Sequence, residues 1–219
     1  MTTVFVTSSG TGIGKTFVTL RLIAELKASG RSVRALKPVA SGFDPTSLAD
    51  SDTGALLRAQ ALEPTAANLD AVSPWRFAAP LSPDMAAARE RRSIPFDALV
   101  AHCRESSRSS GTTLIEGVGG VMAPLDAQHT VLDWIVALAE PTLLVVGSYL
   151  GTLSHGLTAA TALRDRGVQL LALIVSESAE QPVPAAETAA TFARFLGPAP
   201  VLVLPRVAPV PLLPLLESL

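Results

Sequence analysis

Between a β-branched run, Thr3–Thr7, and an amphipathic stretch, Thr16–Ser29, lies Gly10-Thr11-Gly12-Ile13-Gly14-Lys15-Thr16. A strand that turns through glycines into a helix leaves few options for the rest of the chain. The glycines let backbone N–H groups curl toward an anion, and the helix N-terminus adds a favourable dipole. Lys15 can reach the β- and γ-phosphates of a nucleotide, and the Thr16 hydroxyl can ligate Mg²⁺. Ser9 stands where the strict motif has its first glycine, so a merely glycine-rich turn is the competing reading.

Further along, short aliphatic runs alternate with helical patterns. Val33–Leu36, Thr113–Ile115, Thr142–Val146, Gln169–Val175 and Pro200–Leu204 read as strands. Asp52–Gln60, Pro95–Glu105, Ser154–Arg166 and Pro184–Leu196 read as helices, and Asn68–Arg92 reads as proline-rich and irregular. Strands separated by helices predict an α/β fold of the P-loop NTPase type, with a mostly parallel sheet covered by helices on both faces. Right-handed crossovers then bring every strand's carboxyl end to one edge, where ligands bind. The 219 residues, 48% of them hydrophobic, suit one such domain over the whole chain. The tail from Pro209 to Leu219 reads as a short docked helix.

The composition excludes several classes. A formal charge of −2 with no basic stripe argues against a nucleic-acid partner. No apolar run reaches membrane-spanning length, and the N-terminus lacks the basic and long apolar segments of a signal peptide, so a cytoplasmic location is expected. Cys103 is the only cysteine, which rules out an intramolecular disulfide and reads as a small core hydrophobe. His102, His129 and His155 show no metal-ligand spacing.

Three further segments fall at strand ends. Lys37-Pro38-Val39-Ala40-Ser41-Gly42 puts a cation where proline stops the second strand. Leu114-Ile115-Glu116-Gly117-Val118-Gly119-Gly120 puts a carboxylate among glycines on a strand next to the loop, where a second metal ligand belongs. Asp52, within Asp50-Ser51-Asp52-Thr53, is either a ligand or an ordinary helix cap, with Asp50 as the alternative ligand.

Together these segments resemble the dethiobiotin synthetase family along nearly the whole chain. The matches are Phe5-Val6-Thr7, Gly14-Lys15-Thr16, Lys37–Gly42, Ser51-Asp52, Pro74–Pro83, Glu116–Gly120 and Val145–Gly151. The resemblance implies that ATP and Mg²⁺ drive ring closure of 7,8-diaminononanoate with CO₂ in a homodimer. It assigns catalysis to Lys37 and Lys15, and the metal to Thr16, Asp52 and Glu116. ATP would be bound by Gly12, Ile13, Gly14, Lys15, Thr16, Phe17, Asp52, Glu116, Gly119, Ser176, Pro205, Arg206 and Val207. Substrate would be bound by Ser41, Gly117 and Val118, and by Leu150, Gly151 and Thr152 through the neighbouring subunit. The chain departs from the family at Ser8–Gly12, where acidic residues are missing. It also has Ser176 for an adenine-reading asparagine and Tyr149 for a lysine. A partition-type ATPase is the rival, but its signature lysine is absent at Gly10.

Overall fold

The computed structural model describes residues 2–108, 111–208, 210–217 and 219. Strand β1 (Thr2–Ser8) is buried on both sides, and its alternate residues feed two different cores. Val4 and Val6 pack with Val18, Leu22 and Leu26 of helix α1 (Lys15–Ala28). Phe5 points the other way and meets Trp134 edge-on at 4.9 Å between ring centroids. A period-two strand that is apolar on both faces must be covered on both.

The main sheet is six-stranded in the order β2-β5-β1-β6-β7-β8, and every pairing is parallel. Its other strands are β2 (Val33–Leu36), β5 (Thr112–Glu116), β6 (Thr142–Val146), β7 (Leu170–Ser176) and β8 (Val201–Leu204). The expected parallel α/β architecture is therefore observed. Helices α2 (Asp52–Gln60), α5 (Phe96–Ser106), α7 (Thr152–Asp165) and α8 (Ala185–Leu196) fall within two residues of their sequence-predicted limits.

Three features differ from expectation. The segment read as irregular contains helix α3 (Ala66–Val72), strand β4 (Trp75–Phe77) and helix α4 (Pro83–Arg89). Its prolines lie at element ends, and Pro83 occupies the first turn of α4, where its missing N–H costs nothing. Strand β3 (Val39–Ser41) continues past Pro38 and pairs with β4 in a separate two-stranded sheet. Helix α6 (Val131–Leu138) was hidden in a run that is apolar except for Asp133. Its signal was Thr130-x-x-Asp133, since the Asp133 carboxylate accepts from the Thr130 N–H at 2.8 Å.

In the tail, Leu213–Leu216 forms a single 3₁₀ turn in place of the expected helix. The Glu25 carboxylate accepts from the Leu212 and Leu213 amides, both at 2.8 Å, which docks the turn on α1. Pro209 and Ser218 lie outside the described residues. Among those residues no helix is long and apolar enough to cross a membrane.

Candidate active site

The loop between β1 and α1 turns through Gly12 and Gly14 at φ of 72° and 108°, conformations that side chains disfavour. It is braced from β5: the Val121 N–H donates to the Ser8 carbonyl at 3.0 Å. A side chain at Gly120 would press on Ser9 and Gly10 backbone at 3.1 Å, which explains the glycine-rich segment after Glu116. Lys15 turns back over this loop. Its ammonium donates to Ser8 Oγ (3.0 Å), the Gly10 carbonyl (3.3 Å) and the Gly119 carbonyl (2.7 Å). Burial, reinforced by the charge of Lys37, pulls its pKa down to about 8, against the pull of Glu116 and Asp52.

Across the sheet edge, Lys37 at the end of β2 lies between two carboxylates. It donates to Glu116 Oε1 at 2.8 Å and to Asp52 Oδ2. Burial alone would depress the Lys37 pKa, but Glu116 and Asp52 outweigh it and hold it above the usual lysine value. Burial works against ionisation of Asp52 as well, yet Lys37 more than offsets this and lowers its pKa. Ser51, not Asp52, caps α2, its hydroxyl accepting from the Gly54 N–H at 3.0 Å. Asp52 is thus released from capping to face Lys37, whereas Asp50 stays exposed at the cavity wall.

The Thr16 hydroxyl donates to Glu116 Oε1 at 2.6 Å, while Glu116 Oε2 is buried with no protein partner. A hydroxyl, two carboxylates and an orphaned buried carboxylate oxygen are the hard-oxygen set that suits Mg²⁺. Among the described residues no cluster of three or more His, Cys, Asp or Glu side chains could hold a metal alone.

Lys15, Thr16, Lys37 and Asp52 line a cavity of about 870 Å³ that also includes Thr11, Ser41, Phe43, Asp50, Pro80, Ser82, Val118 and Gly119. Thr11, Phe43 and Ser82 were missed by sequence reasoning; Phe43 and Ser82 flank or lie within recognised segments, but nothing local marks their direction. Ser41 Oγ is buried without a partner. A second cavity of about 450 Å³ meets the first at Gly12–Gly14 and is lined by Phe17, Tyr149, Ser176, Glu177, Ser178 and Arg206. Pro205 and Val207 flank Arg206 but do not line it.

Other expected contacts lie elsewhere. The Gly117 amide is committed to the Val6 carbonyl at 2.9 Å, so it is not free for a ligand. The Thr152 hydroxyl is buried and donates to the Gly147 carbonyl at 2.8 Å. Leu150 is 85% exposed, and the Leu150–Thr152 turn lines neither cavity of this chain. His129 is held by Asp126 at 2.9 Å and stacked on Phe96. Cys103 is buried, its thiol pushed up to about 12.

A glycine loop between the central strand and its helix, with lysine and threonine at the helix start, defines a P-loop nucleotide-binding protein. Residues 2–218 match the family model described as AAA domain. The solved septum site-determining protein MinD complexed with Mg-ADP from Pyrococcus horikoshii OT3 shares the fold, with TM-score 0.50 and 19% identity over 93% of this chain and 81% of that one. Two curated relatives are far more similar, each named ATP-dependent dethiobiotin synthetase BioD. The one from Acidiphilium cryptum is 50% identical, covering 90% of this chain and 89% of its own. The one from Methylobacterium nodulans is 52% identical, covering 90% of each. The chain belongs to the ATP-dependent dethiobiotin synthetase family.

Proposed function

We propose that the whole chain is one ligase domain that carboxylates 7,8-diaminononanoate and closes its ureido ring to dethiobiotin at the expense of ATP. The observation that carries this reading is the Lys37–Glu116–Asp52 cluster, in which Lys37 lies two strands from the phosphate loop and, with Asp52, shares a cavity with the partnerless Ser41 hydroxyl.

One substrate amine takes up CO₂ as a carbamate and releases a proton. The carbamate oxygen attacks the γ-phosphorus of ATP, ADP leaves, and a carbamic–phosphoric anhydride forms. The second amine then attacks the carbonyl carbon, phosphate departs, and the ring closes. Phosphoryl transfer asks the protein chiefly for alignment and neutralisation of charge. Lys15 meets the β- and γ-phosphate oxygens, Lys37 meets charge building between carbamate and γ-phosphate, and Ser41 holds the carbamate or an amine nitrogen. Val118 and Gly119 wall the diamine. Thr16, Asp52 and Glu116 would hold Mg²⁺, which would supply positive charge to offset that of the phosphates.

The nucleoside occupies the second cavity, beside Phe17, Ser176 and Arg206. Leu150, Gly151 and Thr152 serve the site of a neighbouring copy in a homodimer, which accounts for their place outside this chain's cavities. The enzyme works in the cytoplasm.

The test is mass spectrometry of a reaction containing the diamine, bicarbonate, ATP and Mg²⁺. Dethiobiotin should form only when all are present, with one ADP per product. ATP hydrolysis that ignores the diamine, with no dethiobiotin formed, would overturn the reading.

A further inference from the structure

The nucleoside cavity has an unusual inner surface. Glu177, Ser178 and Arg206 line it, but Ser176 offers a single hydroxyl where an amide would offer two donors and an acceptor. Even that hydroxyl is packed onto the loop, 2.5 Å from where a side-chain carbon would stand at Gly14. The aromatic side is substantial, with Tyr149 and Phe17 both lining the cavity beside the glycine loop. Tyr149 is fixed in place. Its ring lies against Gly147, close enough that a side chain there would meet ring carbons at 2.5 and 2.8 Å. Its hydroxyl pairs with His155 Nδ1 at 2.9 Å, on the first turns of α7. The segment carrying it is tied to the opposite wall, since the Ser148 N–H donates to Ser178 Oγ at 3.0 Å and the Ser178 N–H donates to Ser148 Oγ at 2.9 Å.

We infer that Tyr149 is a stacking platform for the nucleobase, and that this chain holds its nucleotide by the face of the base more than by its edge. The inference deepens the nucleotide-binding part of the proposed function and is independent of which substrate is carboxylated. Stacking accepts any base because every base has a π-face, and it favours the larger purine surface. ATP and GTP are therefore used comparably, and CTP and UTP less well.

The chain contains one tyrosine, so protein labelled with 3-fluorotyrosine carries a single ¹⁹F resonance, from position 149. Titration with ATP or GTP should shift that resonance through the ring current of the base. Inorganic tripolyphosphate, which fills the loop without a base, should leave it near its starting position. Tyr149→Ala should raise the KM for ATP about tenfold, in keeping with loss of a stacked base, while leaving kcat within about threefold. Tyr149→Phe keeps the ring and should retain the KM, which separates stacking from the bond to His155. A resonance that moves equally with ATP and tripolyphosphate overturns the inference, as does a Tyr149→Ala protein with unchanged KM. Failure to make dethiobiotin would instead refute the ligase reading, because the titration needs no diamine.

Discussion

Lys37→Gln should uncouple two roles that one ammonium fills. Glu116 is fully buried, and Lys37 is its cationic partner at 2.8 Å. Removing one partner of a buried ion pair costs about 3–5 kcal/mol, because the remaining charge is stranded away from water. The substituted amide still donates one hydrogen bond, so the low end, about 3 kcal/mol, is the appropriate figure. Asp52 adds little, since its side chain is 48% exposed and water can replace the lysine. In a domain of this size each kcal/mol moves Tm by about 2–4 °C, which gives a fall of about 6–12 °C without Mg²⁺. The sign with pH follows from the raised native pKa of Lys37. Its stabilisation is complete below the ordinary lysine value of 10.5 and fades as pH climbs through the higher native value. The titration of Lys37 itself should thus leave the deficit unchanged up to about pH 9, and a step near pH 8 should report Lys15, whose low pKa the charge of Lys37 helps to set. Adding Mg²⁺ with ADP should recover part of it, while kcat stays at least about a hundredfold down. Thermal unfolding followed by circular dichroism, with and without Mg²⁺–ADP, provides the measurement. A metal-free Tm within about 1 °C of the parent would refute the claim that Lys37 compensates Glu116.

Glu116→Gln removes that buried charge and should raise the Mg²⁺ concentration for half-maximal turnover by about tenfold or more, read from a metal titration. An unchanged midpoint would remove Glu116 from the metal site. Gly54→Ala would place a methyl 1.9 Å from the Leu48 carbonyl oxygen, so α2 must shift. Stability should fall by about 2 kcal/mol or more in urea unfolding, and activity should fall with it, because Asp52 rides on that helix. Cys103, with its thiol held near 12, should resist a disulfide exchange reagent at pH 8 in the native protein and react within seconds once urea unfolds it.

The frame of the molecule was readable because each main-sheet strand is a short aliphatic run stopped by glycine, proline or a charge. Lys15 could be picked out from the glycine loop that precedes it, and Lys37 and Glu116 because a charge at such a stop has no structural excuse. The two-stranded β3–β4 sheet was not readable, since three-residue strands carry too little periodicity to separate from loop. Helix α6 escaped because a helix buried nearly all round shows no polar face. Side-chain direction was beyond reach as well. Ser51 and Asp52 are adjacent and both can cap, and only the fold decides that the serine does so and the aspartate faces Lys37. Gly117 shows the converse: a glycine beside Glu116 suggested ligand contact, but its amide bonds the Val6 carbonyl on the neighbouring strand.

The strand order also acts as a ruler. Read from one side, the edge presents Lys37 after β2, Glu116 on β5, the phosphate loop after β1, Tyr149 after β6, Ser176 on β7 and Arg206 after β8. Neighbouring strands are about 4.8 Å apart, so the span from carbamate end to nucleoside end is roughly 24 Å. On the proposed function, the two steps from β2 to β1, roughly 10 Å, are the interval in which γ-phosphate and carbamate would meet. The parallel sheet thus meters how far apart the two reactants can lie. A single inhibitor joining a diamine mimic to a nucleotide would need a linker matched to that interval.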